Sequence, residues 1–233
     1  MNVIVLISAN AEWMAVKEVI APTVIETTTM GETFTVSSEP VLRYFHGGWG
    51  KISAAATTQY VIDHWQPDLL VNLGTCGGFA GRIERGTVIL VEKTILYDII
   101  EQMSDPEEAI AHYTTDLDLA WLSQGEWMIQ DGNSPAVVRG LLVSADRDIV
   151  AGDMAGLIEK YGAVAADWES GAIAWVAKKN GTRCLILRGV TDLVSAEGGE
   201  AYGKIEIFHE NTKKIMKELI EQLPHWLKFK AGK

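Results

Sequence analysis

The stretch Leu69-Leu70-Val71-Asn72-Leu73-Gly74-Thr75-Cys76-Gly77-Gly78 carries two signals in sequence. Its first half, Leu69–Leu73, reads as an apolar strand of the kind buried on both faces of a sheet. Its second half turns abruptly glycine-rich. The same grammar recurs along the chain. Val3–Ile7 runs into the polar stretch Ser8 to Glu12, and Gly140–Ser144 is followed by Asp146 to Ile149. Ala163–Ala166 ends at Asp167-Trp168-Glu169, and Cys184–Arg188 ends at Gly189-Val190-Thr191-Asp192. Val88–Leu96 is one more strand. Helical spacing falls between them, over Glu12–Ile20, Ile52–Trp65 (stopped by Pro67), Ile149–Tyr161, Ser170–Asn180 (with Gly181 at C′) and Glu206–Leu223 (ended by Pro224). Thr27–Thr29, Thr33–Val36 and Val41–His46 favour shorter strands, and Gly47 to Lys51 a turn. Gln102–Asp118 has weak periodicity and reads as an excursion or flap.

Strands alternating with helices predict an α/β fold with a largely parallel sheet covered on both faces. We expect a single domain over 1–233, a three-layer α/β/α arrangement with a central mixed, mainly parallel twisted sheet. The length of 233 residues suits one domain. With 48% apolar and 22% charged residues, the composition excludes a disordered chain, a collagen-like repeat and a coiled coil. The net charge of −11 argues against a polyanionic partner such as nucleic acid. The N-terminus lacks a basic leader, and no apolar run is long enough for a spanning helix. A cytoplasmic protein without membrane contact is expected. Cys76 and Cys184 are too few for a disulfide framework and lack zinc spacing, so no metal and no cofactor is expected.

Ligands of such sheets bind beyond the carboxyl ends of the strands. Gly74 to Gly78 can approach an anion or a sugar with its backbone, but it lacks both the dinucleotide and the P-loop spacing. Cys76 has no histidine in a partner motif and reads as a small buried thiol. Three carboxylates follow apolar strands: Glu12, Glu169 and Asp192. Without a metal, such a set suits cleavage of a glycosidic bond: one acid protonates the leaving group and a second carboxylate positions water. The residues alone leave open a glycosidic or an acyl hydrolase of a small ligand.

These segments together resemble the nucleoside phosphorylase and nucleosidase superfamily, nearest the methylthioadenosine/adenosylhomocysteine nucleosidase branch. The resemblance runs through Ala9 to Glu12, Gly48-Trp49-Gly50-Lys51, Val71 to Gly78, Val143-Ser144-Ala145-Asp146, Asp167 to Ala172, and Arg188 to Asp192. The last two are the most specific, the family usually writing Met-Glu-Gly/Ala and Arg-x-x-Ser-Asp. The resemblance implies a nucleoside phosphorylase-like fold and hydrolysis of a purine nucleoside. It implies that Asp192 is the general acid at the purine N7, that Thr191 supports it, and that Arg188 orients it. Glu12 becomes the base for water. Glu169 takes the ribose 2′- and 3′-hydroxyls above Trp168, Thr75, Cys76 and Gly77 face the ribose and nucleophile, and the Ile149 backbone holds the base edge. Asp148 stands where an aromatic usually stacks on the base, which points to a carboxylate reading a donor edge.

The nucleophile decides between water and phosphate. The phosphorylase motif Gly-x-Pro-x-Arg is replaced here by Ser8-Ala9-Asn10-Ala11-Glu12, and the second phosphate-binding Arg by Asn72. Two missing guanidiniums remove several kcal/mol of charge-assisted binding from phosphate. Arg43 and Arg147 are the candidates for a rebuilt phosphate site. A purine or uridine phosphorylase is the second enzyme reading, and a non-catalytic nucleoside-binding or storage relative the third. The family implies a homodimer or larger homo-oligomer, with Tyr97 and the 102–118 excursion as candidate contacts.

Overall fold

A computed structural model describes residues 1–39, 41–122 and 136–228. The chain opens with β1 (Asn2–Ile7), α1 (Asn10–Ile20), β2 (Glu26–Thr28), β3 (Gly31–Ser38) and β4 (Val41–His46). It continues through α2 (Lys51–Trp65), β5 (Leu69–Phe79), β6 (Val88–Leu96), α3 (Pro106–His112) and β7 (Thr114–Asp116). The last part holds β8 (Val137–Ser144), α4 (Ala151–Tyr161), β9 (Ala165–Asp167), α5 (Ser170–Lys179), β10 (Cys184–Ser195), β11 (Gly198–Gly199) and α6 (Ile205–Lys228).

The strands join in one mixed sheet of order β11-β10-β6-β8-β9-β5-β1-β4-β3-β2, with β7 on β6. The long ladders are parallel: β1 with β4 and β5, β5 with β10, and β6 with β8. The β5–β9, β10–β6, β6–β7 and β2–β3–β4 pairings are antiparallel, so the sheet is mixed and its antiparallel share exceeds expectation. Because β5 pairs with both β9 and β10, the strands β5, β10, β6, β8 and β9 close into a ring.

Strand alternation assigns the two faces. Val3, Val5 and Ile7 pack with Trp13 and Val16 of α1 and with Ile215 and Leu219 of α6. Ile4 and Leu6 turn the other way, toward Ala54 and Val61 of α2 and Ile173 and Ala177 of α5. A third cluster, with Phe79, Val143, Ile149 and Leu157, seats α4. Each fully buried aliphatic side chain of this kind contributes about 1.5–3 kcal/mol. Among the described residues no helix is long and apolar enough to cross a membrane.

Four boundaries differ from the sequence reading. β5 does not end at Leu73 but runs to Phe79, and β10 runs past Arg188 to Ser195. The two strands sustain each other: Arg188 to Val194 pair in register with Gly74 to Phe79, with a bulge between Val190 and Asp192. The excursion over 102–118 holds α3 and β7. Pro224 lies inside α6, because Leu223 and Trp226 are both buried and draw the last turns onto the core. α5 ends as expected, with Gly181 in the left-handed region at φ 64.

Candidate active site

At the centre of the β5–β10 pair lies Arg188, with no exposed surface. An arginine in an otherwise apolar strand is tolerated only when every donor is matched. Its Nε donates to Ser170 Oγ at 2.8 Å, and its Nη2 donates to Asn72 Oδ1 at 2.8 Å and pairs with Asp167 at 2.9 Å. Its Nη1 lies 3.7 Å from Glu12 Oε1, and Nη2 lies 3.9 Å from Glu169 Oε2. Burial alone would lower the guanidinium pKa, but Asp167, Glu12 and Glu169 overturn that and raise it. Gly74, opposite Arg188 in register, provides the space. A Cβ there would fall 1.8 Å from Arg188 Nη1 and 2.8 Å from Glu12 Oε1.

Glu12 is buried in the first turn of α1. Its Oε2 accepts from the Ala9 N–H at 3.1 Å, the back-bond of an N-terminal cap. Its Oε1 accepts from the Thr75 N–H at 2.6 Å and the Thr75 hydroxyl at 2.9 Å. The carboxylate thus bridges the first helix and β5, as the sequence reading required of it.

Glu169 sits at the start of α5, where its Oε1 accepts from the Gly50 N–H at 3.0 Å. Burial pushes its pKa up to about 8, against the pull of Arg188, with Asp167 and Glu12 adding repulsion. The physical cause is plain: one guanidinium faces three carboxylates in a dry site, so one carboxyl keeps its proton. Trp168 beside it is half-buried and packs on exposed Trp49, with ring centroids 5.1 Å apart. The two indoles flank Glu169 at the surface.

Asp192 lies two registers further along, opposite Gly77. The Thr191 hydroxyl donates to its Oδ1 at 2.8 Å. Burial raises its pKa; Thr191 and Arg85 oppose this, and Glu200 and Asp148 reinforce it. Asp148 is exposed and acts on Asp192 through space. The Ile149 carbonyl is taken by the Tyr202 hydroxyl at 2.6 Å. A Cβ on Gly77 would stand 3.1 Å from Ile149 Cδ1, so glycine brings the Ile149 loop close to β5. Cys76 is buried, its thiol is pushed well above its ordinary pKa by desolvation, and its carbonyl lies 3.2 Å from Thr191 Oγ1. It is no nucleophile.

Glu12, Thr75, Glu169 and Arg188 are therefore brought into one cluster, and Thr191, Asp192, Asp148 and Ile149 into an adjoining one. The expected contact from Arg188 to Asp192 is a correction. The bulge between Val190 and Asp192 takes Asp192 off the pattern of Arg188, and the described partners of Arg188 are those given above. The cation acting on Asp192 is Arg85. Arg43 and Arg147 do not build a phosphate site. Arg43 pairs with Glu26 and covers Trp65, and Arg147 pairs with Asp153 and covers Tyr97.

Sequence reasoning missed Ser144, Asp167 and Ser170. Asp167 accepts from the hydroxyls of Ser144 and Ser170 at 2.5 Å each. The available signal was Arg188 itself, since a buried arginine demands a buried acid and several acceptors. Among the described residues no group of His, Cys, Asp and Glu is arranged to hold a metal ion.

A family model described as the phosphorylase superfamily matches residues 10–223. A 5′-methylthioadenosine/S-adenosylhomocysteine nucleosidase from a Marinomonas species is 25% identical, over 95% of this chain and 99% of its own. One from Geobacillus kaustophilus is 27% identical over 74% of each chain. The fold of Arabidopsis thaliana 5′-methylthioadenosine nucleosidase superposes with a TM-score of 0.78 at 20% identity, covering 100% of this chain and 96% of that one.

Proposed function

The chain belongs to the phosphorylase superfamily, and from that premise we propose that it hydrolyses the N-glycosidic bond of a purine nucleoside of the methylthioadenosine or adenosylhomocysteine type. The whole chain is read as a single α/β/α domain, acting in the cytoplasm as a homo-oligomer. Exposed Trp49, Ile52, Ile100 and Met103 support an association surface near the site.

The observation that carries the reading is the charge balance around Glu12. The only cation contacting it, Arg188, is already shared with Asp167 and Glu169. An incoming phosphate would meet three carboxylates and no uncommitted guanidinium, whereas a neutral water meets an acceptor. Asn72, standing where a phosphorylase places its arginine, donates to the Leu6 carbonyl and accepts from Arg188. Water held by Glu12 attacks C1′ and loses its proton to that carboxylate. Asp192, whose pKa burial raises, gives its proton to the departing base. Glu169 anchors the sugar diol, and its negative charge favours the oxocarbenium-like transition state. Positioning of water against C1′ supplies several kcal/mol more.

The test is release of free base from a panel of nucleosides, with and without phosphate. Base released at the same rate in both supports hydrolysis. Release that requires phosphate overturns it, and no release at all from any nucleoside favours a binding relative.

A further inference from the structure

The turn before α2 does more than connect two elements. Lys51, largely buried, places its Nζ 2.5 Å from both carboxylate oxygens of Asp98 and 3.9 Å from Asp146 Oδ2. The Lys51 N–H donates to Asp146 Oδ1 at 2.7 Å, and the Asp146 N–H donates to Asp98 Oδ2 at 3.1 Å. Three segments are thereby locked together: the start of α2, the residue after β6–Tyr97, and the loop after β8. Gly50 is the residue held by this lock. It has φ 86, and a Cβ on it would press to 3.2 Å from Asp146 Oδ1. Its N–H is the backbone donor to Glu169 Oε1.

We propose that Lys51, clamped by Asp98 and Asp146, is a positioning residue that holds the Gly50 N–H on Glu169 and so sets how Glu169 presents itself to a sugar diol. This rests on the nucleoside reading above. The charged groups facing Glu169 are Arg188, Asp167 and Glu12, and Lys51 acts on it only through the Gly50 turn. Withdrawal of the Gly50 N–H removes one stabilising donor from the Glu169 carboxylate, so the group ionises at a higher pH.

The experiment compares Lys51→Met, Lys51→Arg and Asp98→Asn with the wild type. The substrates are 5′-methylthioadenosine and its 2′-deoxy counterpart. Lys51→Met and Asp98→Asn should raise KM for the riboside about tenfold. KM for the deoxy substrate should change by under about threefold, with kcat similarly little changed, and Lys51→Arg should recover most of the riboside affinity. An equal effect on both substrates overturns the proposal. A second readout needs no turnover: 13C-carboxyl glutamate NMR, with the Glu169 signal assigned by its loss in Glu169→Gln. Its midpoint should lie at about 8 in the wild type and higher in Lys51→Met. An unmoved midpoint overturns the proposal. A wild type that releases no base refutes the nucleosidase reading instead, and the titration then decides the role of Lys51 by itself.

Discussion

Replacement of Arg188 by Met removes the sole cation from a buried ring of acids while keeping the apolar length of the side chain. The lost contacts are those to Ser170, Asn72 and Asp167 at 2.8, 2.8 and 2.9 Å, together with the longer approaches to Glu12 and Glu169. A buried charge stripped of its partner costs about 3–5 kcal/mol. Against a total stability of about 5–15 kcal/mol, that is a large share. The cost must depend on pH. Glu169 already ionises only at about 8 in the presence of Arg188, and without the guanidinium its pKa rises further. A carboxyl whose folded pKa exceeds its unfolded value is favourable below the unfolded pKa, and that advantage is lost as pH rises through the folded pKa. The gap between wild type and Arg188→Met should therefore be small near pH 5 and approach its full size above pH 8. Urea unfolding at fixed protein concentration, at three pH values with unchanged m, reads this directly. A gap of constant size across pH would show that the acids are not coupled to Arg188, and the electrostatic account of the site would fall.

Asp192→Asn keeps the shape of the side chain but has no proton to give, so kcat should fall about a hundred- to ten-thousand-fold while nucleoside binding persists; unchanged kcat rejects Asp192 as the acid. Glu169→Gln should weaken riboside binding about tenfold and leave adenine binding nearly unchanged, read by calorimetry; equal loss for both ligands puts Glu169 outside the sugar site. Gly74→Ala drives a methyl into Arg188 and Glu12. It should cost about 1–3 kcal/mol of stability and most of the activity, measured by thermal unfolding and base release. A stable, fully active Gly74→Ala variant contradicts the packing described around Arg188.

The apolar strands and the periodic helices were legible because each buries a face that composition reveals. Val3–Ile7 and Leu69–Leu73 need no partner to be recognised. The continuation of β5 through Gly74 to Phe79 was not legible, because glycines read locally as a turn. Those glycines are there for a nonlocal reason, the close approach of Arg188 and Ile149 from distant parts of the chain. Pro224 misled in the same way: its local preference for ending a helix loses to burial of Leu223 and Trp226. The carboxylates Glu12, Glu169 and Asp192 were legible as residues following apolar strands. Their division into two clusters was not, since it depends on a bulge between Val190 and Asp192 that no sequence pattern marks. Asp167 and the two serines that hold it were hidden because buried polar partners carry no periodicity.

The central claim is that water, held by Glu12, is the nucleophile. Hydrolysis of 5′-methylthioadenosine in 18O-enriched water without phosphate tests it most directly, with the sugar product analysed by mass spectrometry immediately after quenching, alongside a control of free sugar incubated for the same time. The wild type should release adenine and carry the label at C1′ in excess of the exchange control, and Glu12→Gln should release almost none while still binding the nucleoside. Base release that waits for added phosphate and yields an unlabelled sugar 1-phosphate would contradict the account.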